Sequence, residues 1–231
     1  MSEKKSIRKK KAGPIFSHSV NGTHGSFVTP AGKVSYLMTK ATLRFSGTPS
    51  ESEEETSKLT KFLAPAREVL DVANLGFDQL LQRDLDDNRI VYELIPYLLG
   101  SKRSGTPLFP PIVVMLLPFD GKQVSSCYSK VDKQKKIEHD IYDGDWERAT
   151  FDKCFQVDRA LDGAATPDFG IVKWHTDQSR LVVLDGQHRA MALLGIQRIH
   201  ESAWPASAKR FEVFYKQAVA AHLAGAGKHL P

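Results

Sequence analysis

Asp185-Gly186-Gln187-His188-Arg189 brings an acid, a glycine, an amide, an imidazole and a guanidinium together at one turn of the chain. The preceding Leu181-Val182-Val183-Leu184 is apolar and β-favouring, and Ala190, Met191, Leu193 and Leu194 then supply the apolar part of a helix. A strand that ends here and a helix that starts here gather free backbone N–H groups and the positive end of a helix dipole beside His188 and Arg189, which suits a phosphate. Asp185 can accept the N–H of Gln187 or His188 as a helix cap. Gly186 permits the tight turn and leaves no side chain in a ligand's way. Arg189 is permanently charged and can grip a phosphate with two donors. His188, with a near-neutral pKa, can donate to a phosphate or activate a water. The same residues also suit a purely structural strand–turn–helix, in which Asp185 caps, Arg189 is a surface charge and His188 packs locally.

Several elements are expected to position this turn. Gly170 to His175 and Arg180 to Leu184 flank Thr176-Asp177-Gln178-Ser179 and read as a hairpin whose second arm delivers Asp185. The helix beyond is expected to run from Gln187 to Leu194 and to end at Gly195. Leu59, Phe62, Leu63, Ala66, Val69 and Leu70 recur at helical spacing, with Pro65 either kinking that helix or starting a second one. Another helix begins at Asp86 or Asp87 and carries Ile90, Val91, Leu94 and Leu98 on one side, its end blurred by Pro96. Between these helices, Phe77 to Leu85 fits a short strand or helix, and Gly100 to Thr106 reads as a loop. Ile112 to Leu117, bounded by Pro110-Pro111 and Pro118, predicts a buried strand. Phe27 to Phe45 reads as a hairpin or a bent pair of strands with a turn at Pro30-Ala31-Gly32, and residues 46–57 as a linker running into a helix start. Residues 120–168 lack clear periodicity and read as a long surface insertion with a helical fragment. Phe211 to Tyr215 suggests a strand, and residues 217–231 a frayed or truncated tail, whose Ala-rich Gln217 to Gly227 resembles a frayed helix or a truncated terminus.

The chain has 231 residues, 41% hydrophobic and 26% charged, enough apolar content for a packed core. The formal net charge of +5 is local: six of 32 basic residues and one of 27 acidic residues lie within residues 1–11, leaving 26 of each sign elsewhere. Lys4, Lys5, Arg8, Lys9, Lys10 and Lys11 thus form a basic arm, expected to be disordered with the loop up to residue 26. Such an arm can touch DNA phosphates without reading sequence, or simply solubilise the chain. Residues 27–216 are then the domain. The first residues are charged rather than apolar, and no run approaches about 18 apolar residues, so no secretory leader or membrane span is expected. Cys127 and Cys154 suit neither a disulfide framework nor a zinc site, which makes the cytoplasm the expected location. Glu138, Asp140, Asp143 and Asp145 cluster in sequence, as nuclease metal ligands would, but within the unpatterned stretch, and no metal site is expected. His139 and His175 read as solvated or structural.

The Asp185–Arg189 segment resembles the defining motif of the DGQHR-domain family, of which the DndB proteins of bacterial DNA phosphorothioate modification are members. That family is related to the ParB/sulfiredoxin-like superfamily. Gln82-Arg83-Asp84-Leu85, the helix containing Arg89 to Leu98, and Pro110-Pro111-Ile112-Val113-Val114 follow the superfamily's order of arginine, helix and proline-led strand. The resemblance covers roughly residues 75–118 and 170–200. It implies an α/β (α+β) fold, a ParB/sulfiredoxin-like mixed sheet with packed helices. It also implies nucleotide handling: phosphates of ATP or CTP, with Mg2+, held by Gly186, Gln187, His188, Arg189 and Arg83, and catalytic roles for His188 and Asp185 in ATP hydrolysis. The implied partners are a nucleotide, DNA and other proteins of a DNA-modification or phage-defence locus. Gln187 stands where sulfiredoxin chemistry needs a cysteine, so sulfinic acid reduction is excluded.

Overall fold

The computed structural model describes residues 16–41, 59–69, 85–99, 108–125, 128, 130–139, 142–161 and 168–225. The basic arm, Arg83 and the rest of 70–84, the whole 46–57 linker and 100–106 loop, Cys127, Asp140 and residues 226–231 lie outside them. The architecture is mixed α+β, with two sheets and helices packed on the smaller one.

The larger sheet is antiparallel throughout and has six strands in the order β2-β1-β8-β7-β6-β5. Its members are β1 (His18–Thr29), β2 (Gly32–Met38), β5 (Val131–Glu138), β6 (Asp145–Phe151), β7 (Phe155–Ala160) and β8 (Phe169–Trp174). The smaller sheet, in the order β3-β9-β4, contains β3 (Leu63–Ala64), β4 (Val113–Pro118) and β9 (Ser179–Asp185). β3 runs parallel to β9, and β4 runs antiparallel to it. Leu181, Val182 and Val183 of β9 are buried, as a central strand requires.

The β1–β2 hairpin forms where expected, with Thr29 opposite Gly32. Gly32 has φ +128°, a conformation that glycine adopts without strain. Residues 18–26, expected as loop, instead extend β1, because β8 pairs with His18 to Thr23. The expected hairpin of residues 170–184 is corrected: β8 and β9 belong to different sheets, and residues 175–178 carry the chain between them. Hydrogen bonds from Gln178 N and Ser179 Oγ to His175 O hold that crossing.

The largest correction concerns residues 120–168, where three strands replace the expected unpatterned insertion. β5 is an exposed edge strand rich in lysine, so it carries no apolar alternation. β6 and β7 hide their alternation because two of their inward positions are ionic. Asp158 is fully buried and accepts Arg148 Nε and Nη2 at 2.7 and 2.9 Å. Gln156 Nε2 bonds both of its oxygens at 3.0 Å, and Lys173 Nζ lies 3.3 Å away. The His139 side chain is buried and structural, its ring tilted by 33° against Trp146 with centroids 4.5 Å apart.

Among the described residues four helices build the layer beside the smaller sheet. α1 (Ala66–Val69) begins just after Pro65, so the proline starts a second element; Thr60–Phe62 before it is a 3-10 turn. α2 spans residues 87–98, with a π-turn at Ile90–Leu94 between two α-helical turns. There Ile95 N bonds Ile90 O, five residues back, immediately before Pro96, which has no N–H to give. α3 (Gln187–Glu201) runs through Gly195 rather than ending there. A Cβ at Gly195 would sit 3.0 Å from the Tyr215 ring, so this glycine permits close helix contact. α4 (Lys209–Gly225) replaces the expected strand and carries the described part of the tail as helix, one of the two forms expected there. Its Tyr215, Ala218, Val219 and Leu223 are buried at helical spacing. They join Ile90, Ile95, Val183, Met191, Leu194 and Ile196 in one core, while Leu181 joins Phe155 and Trp174 in another between the sheets. α1 and α3 pack on β9, whereas α2 and α4 pack on other helices. β4 forms as expected but is an edge strand, with Val113 49% and Met115 44% exposed. No helix among the described residues is long and apolar enough to cross a membrane.

Candidate nucleotide-binding cleft

The end of β9 and the first turn of α3 form one side of a cleft of about 510 Å³, with α2 and Phe109-Pro110 opposite. Gly186 has φ +78° and precedes the helix, and the first bond into α3 runs from Ala190 N to Gly186 O. The N–H groups of Gln187, His188 and Arg189 therefore precede the helical ladder. Asp185 does not cap them, contrary to the sequence expectation: Gly186, which has no side chain, stands at the N-cap position. Its Oδ2 instead meets Arg189 Nη2 at 3.3 Å, one turn along.

The motif side chains bind three other parts of the chain. Gln187 Oε1 accepts the Ala66 N–H at 3.1 Å, tying down the start of α1. His188 Nε2 accepts the Asp86 N–H at 3.1 Å, and Asp86 Oδ1 in turn caps α2 by accepting the Arg89 N–H. Arg189 Nη2 donates to Pro111 O at 3.2 Å, holding the segment that leads into β4. The Arg189 guanidinium lies over Gly186, where an added Cβ would be 2.7 Å from Nη2. Three helix starts and a proline-led strand thus converge on the five residues.

This arrangement divides the roles anticipated for His188. An Nε2 that accepts an N–H is unprotonated, so the neutral ring carries its proton on Nδ1 and is a donor there. The geometry therefore favours the donor role over water activation. Burial of the ring and the nearby Arg89 charge lower the His188 pKa below its ordinary 6.5, against the opposing pull of Asp86 and Asp87. Because the folded value lies below the unfolded one, the unfolded chain binds more protons as the pH falls below about 6.5, and stability drops in that window. His24 is lowered too, by burial and by Arg159 and Lys33. Thermal melts between about pH 7.5 and 5 are expected to show this acid destabilisation. His188→Gln, which keeps an acceptor near Nε2 but does not titrate, should flatten the part of the slope that belongs to His188; an unchanged slope would contradict the assignment.

Residues that sequence reasoning did not assign to the site also face the cleft. Arg89, in the first turn of α2, is exposed, and its side chain lies 3.6 Å from that of Glu93. Tyr97, Leu94, Phe109 and Leu184 form an apolar wall. Beneath the site, Asp87 binds Arg67 through both oxygens at 2.9 and 3.0 Å and accepts the Tyr215 hydroxyl at 2.5 Å. Glu68 binds Arg198 in the same two-pronged way at 2.8 Å. No group of three or more His, Cys, Asp or Glu side chains among the described residues could hold a metal ion. Asp185, with its side chain 76% exposed, is the carboxylate at the cleft rim. Comparison of the chain with protein-family models, curated proteins and solved structures finds no match.

Proposed function

We propose that the protein is a nucleotide-binding, DNA-associated regulator or accessory factor of a bacterial DNA-modification or defence system. The observation that carries this reading is the cleft's polar end, where the α3 N-terminus, Arg189 and Arg89 converge beside an apolar wall. Fixed N–H dipoles and two permanent cations favour a polyphosphate, and the volume is in the range of small-molecule sites. ATP or CTP is the ligand class implied by the DGQHR resemblance, and Mg2+ would arrive on the phosphates with Asp185 as its available carboxylate. The strand–turn–helix of β9 and α3, beside α2 and the proline-led β4, supports a ParB/sulfiredoxin-like core. Binding is better supported than hydrolysis, since His188 Nε2 is already engaged.

The test is calorimetric titration of the whole protein with magnesium ATP and CTP. Dissociation constants between micromolar and millimolar are expected, about −4 to −8 kcal/mol. Arg189→Ala should weaken binding by roughly 1–3 kcal/mol, the scale of a lost charge-assisted bond. Absence of heat with every nucleotide would sink the proposal.

A second reading draws on a specific observation: all five motif residues have structural work within the protein. The turn would then be a brace in a non-enzymatic DNA-binding module, with phosphate contacts made by Lys4, Lys5, Arg8, Lys9, Lys10 and Lys11. Fluorescence anisotropy with duplex DNA locates the DNA contact, and the nucleotide titration above separates the two readings. Loss of DNA binding on deletion of residues 1–11, with none on mutation of the turn, assigns DNA to the arm and leaves the cleft free for a nucleotide.

A further inference from the structure

Tyr97 and Phe109 lie on the cleft's apolar wall with ring centroids 5.7 Å apart and planes 25° from parallel. The Tyr97 hydroxyl donates to Leu108 O at 3.1 Å and accepts the Leu108 N–H at 2.8 Å. Its proton is therefore committed to fixing residue 108, next to Phe109. The two rings are held in register before any ligand arrives, which removes ordering cost from binding. Leu94, Pro110 and Leu184 extend this wall and carry no side-chain donor or acceptor. Leu184 is 51% exposed beside it, an apolar surface with no cover among the described residues. The polar side chains of the cleft are gathered at the other end, with Arg89 and Asp185 to Arg189.

We infer that the Tyr97–Phe109 pair is a stacking platform for the planar ring of the nucleotide, and that the cleft binds nucleoside triphosphates with little regard to base. The inference rests on the nucleotide reading above and gives it a direction: phosphates at the start of α3, base against Phe109 and Tyr97. Every base has a π-face, whereas telling bases apart needs hydrogen bonds to their edges. The wall offers faces and no edge-reading side chains. Larger purine rings cover more of it than pyrimidines.

The experiment titrates the full chain with the magnesium salts of ATP, GTP, CTP and tripolyphosphate. The three nucleotides should bind within about tenfold of one another, with CTP weakest, and tripolyphosphate roughly ten- to a hundredfold more weakly than ATP. Phe109→Leu, which keeps an apolar side chain, should bring all three nucleotides towards tripolyphosphate and leave tripolyphosphate itself unchanged. Tyr97→Phe, which keeps the ring but releases Leu108, should weaken the nucleotides by a smaller factor. Tripolyphosphate binding as tightly as ATP would overturn the platform and leave the phosphate site standing. Preference for one base by more than about a hundredfold would overturn the base tolerance, since it demands edge contacts. Failure of all four ligands to bind would overturn the nucleotide reading and the platform with it.

Discussion

Gly186→Ala is expected to lower stability by about 2–4 kcal/mol and to weaken ATP binding more than tenfold. Two causes act at one atom. At φ +78° an L side chain is strained, by about 1–2 kcal/mol for an alanine. The new Cβ would also stand 2.7 Å from Arg189 Nη2 and 2.9 Å from Nε. The guanidinium must move, and its bonds to Pro111 O and Asp185 go with it. Since Pro111 leads into β4, the damage reaches both walls of the cleft. Urea unfolding and ATP titration measure the two effects. The double variant Gly186→Ala/Arg189→Ala supplies the check, because removing the arginine removes the collision. Its stability loss should be clearly smaller than the sum of the two single losses. Additive losses would mean that Arg189 does not lie over Gly186.

Asp158→Ala is expected to cost about 3–5 kcal/mol, the largest single loss of stability foreseen for this protein. Burial alone would raise the Asp158 pKa, but Arg148 and Lys173 hold it below its ordinary value. Its removal takes the carboxylate from two cations, Arg148 and Lys173, each about 25% exposed, within the large sheet. Replacing the pair together, as Arg148→Met/Asp158→Leu, should cost less than Asp158→Ala, because Lys173 alone, and no longer Arg148 as well, then loses its carboxylate. Denaturant midpoints for the three proteins decide this. Nucleotide affinity of the folded fraction should not change, since Asp158 is outside the cleft. A binding loss equal to that of Gly186→Ala would mean that affinity tracks stability alone.

The parts of the fold that were legible in sequence are those set by local rules. The β9–α3 turn shows as an apolar run broken by Asp-Gly, and Asp86 shows as a cap before Ile90 and Val91. The β1–β2 turn is written in Pro30-Ala31-Gly32. Illegible parts depend on partners far along the chain. β6 and β7 pair Arg148 with Asp158 where apolar residues would mark a buried face, so their alternation is concealed. Gly195 resembles a helix end until Tyr215, on another helix, is seen to need the space. In the site itself, the motif's position was legible but the work of its side chains was not. His188 meets a residue 102 positions away and Gln187 one 121 positions away, distances over which periodicity says nothing. Arg89, Tyr97 and Phe109 carry no local signal either, because α2 and the proline-led segment bring them to the cleft only after folding.

The central claim is that the start of α3 and its arginine hold a nucleotide's phosphates. Parallel calorimetric titration of the wild-type protein and Arg189→Ala with magnesium ATP tests it most directly. The account predicts saturable micromolar-to-millimolar binding by the wild type, weakened roughly five- to a hundredfold or more in a variant that still folds. No binding by the wild type, or equal binding by the folded variant, would contradict it.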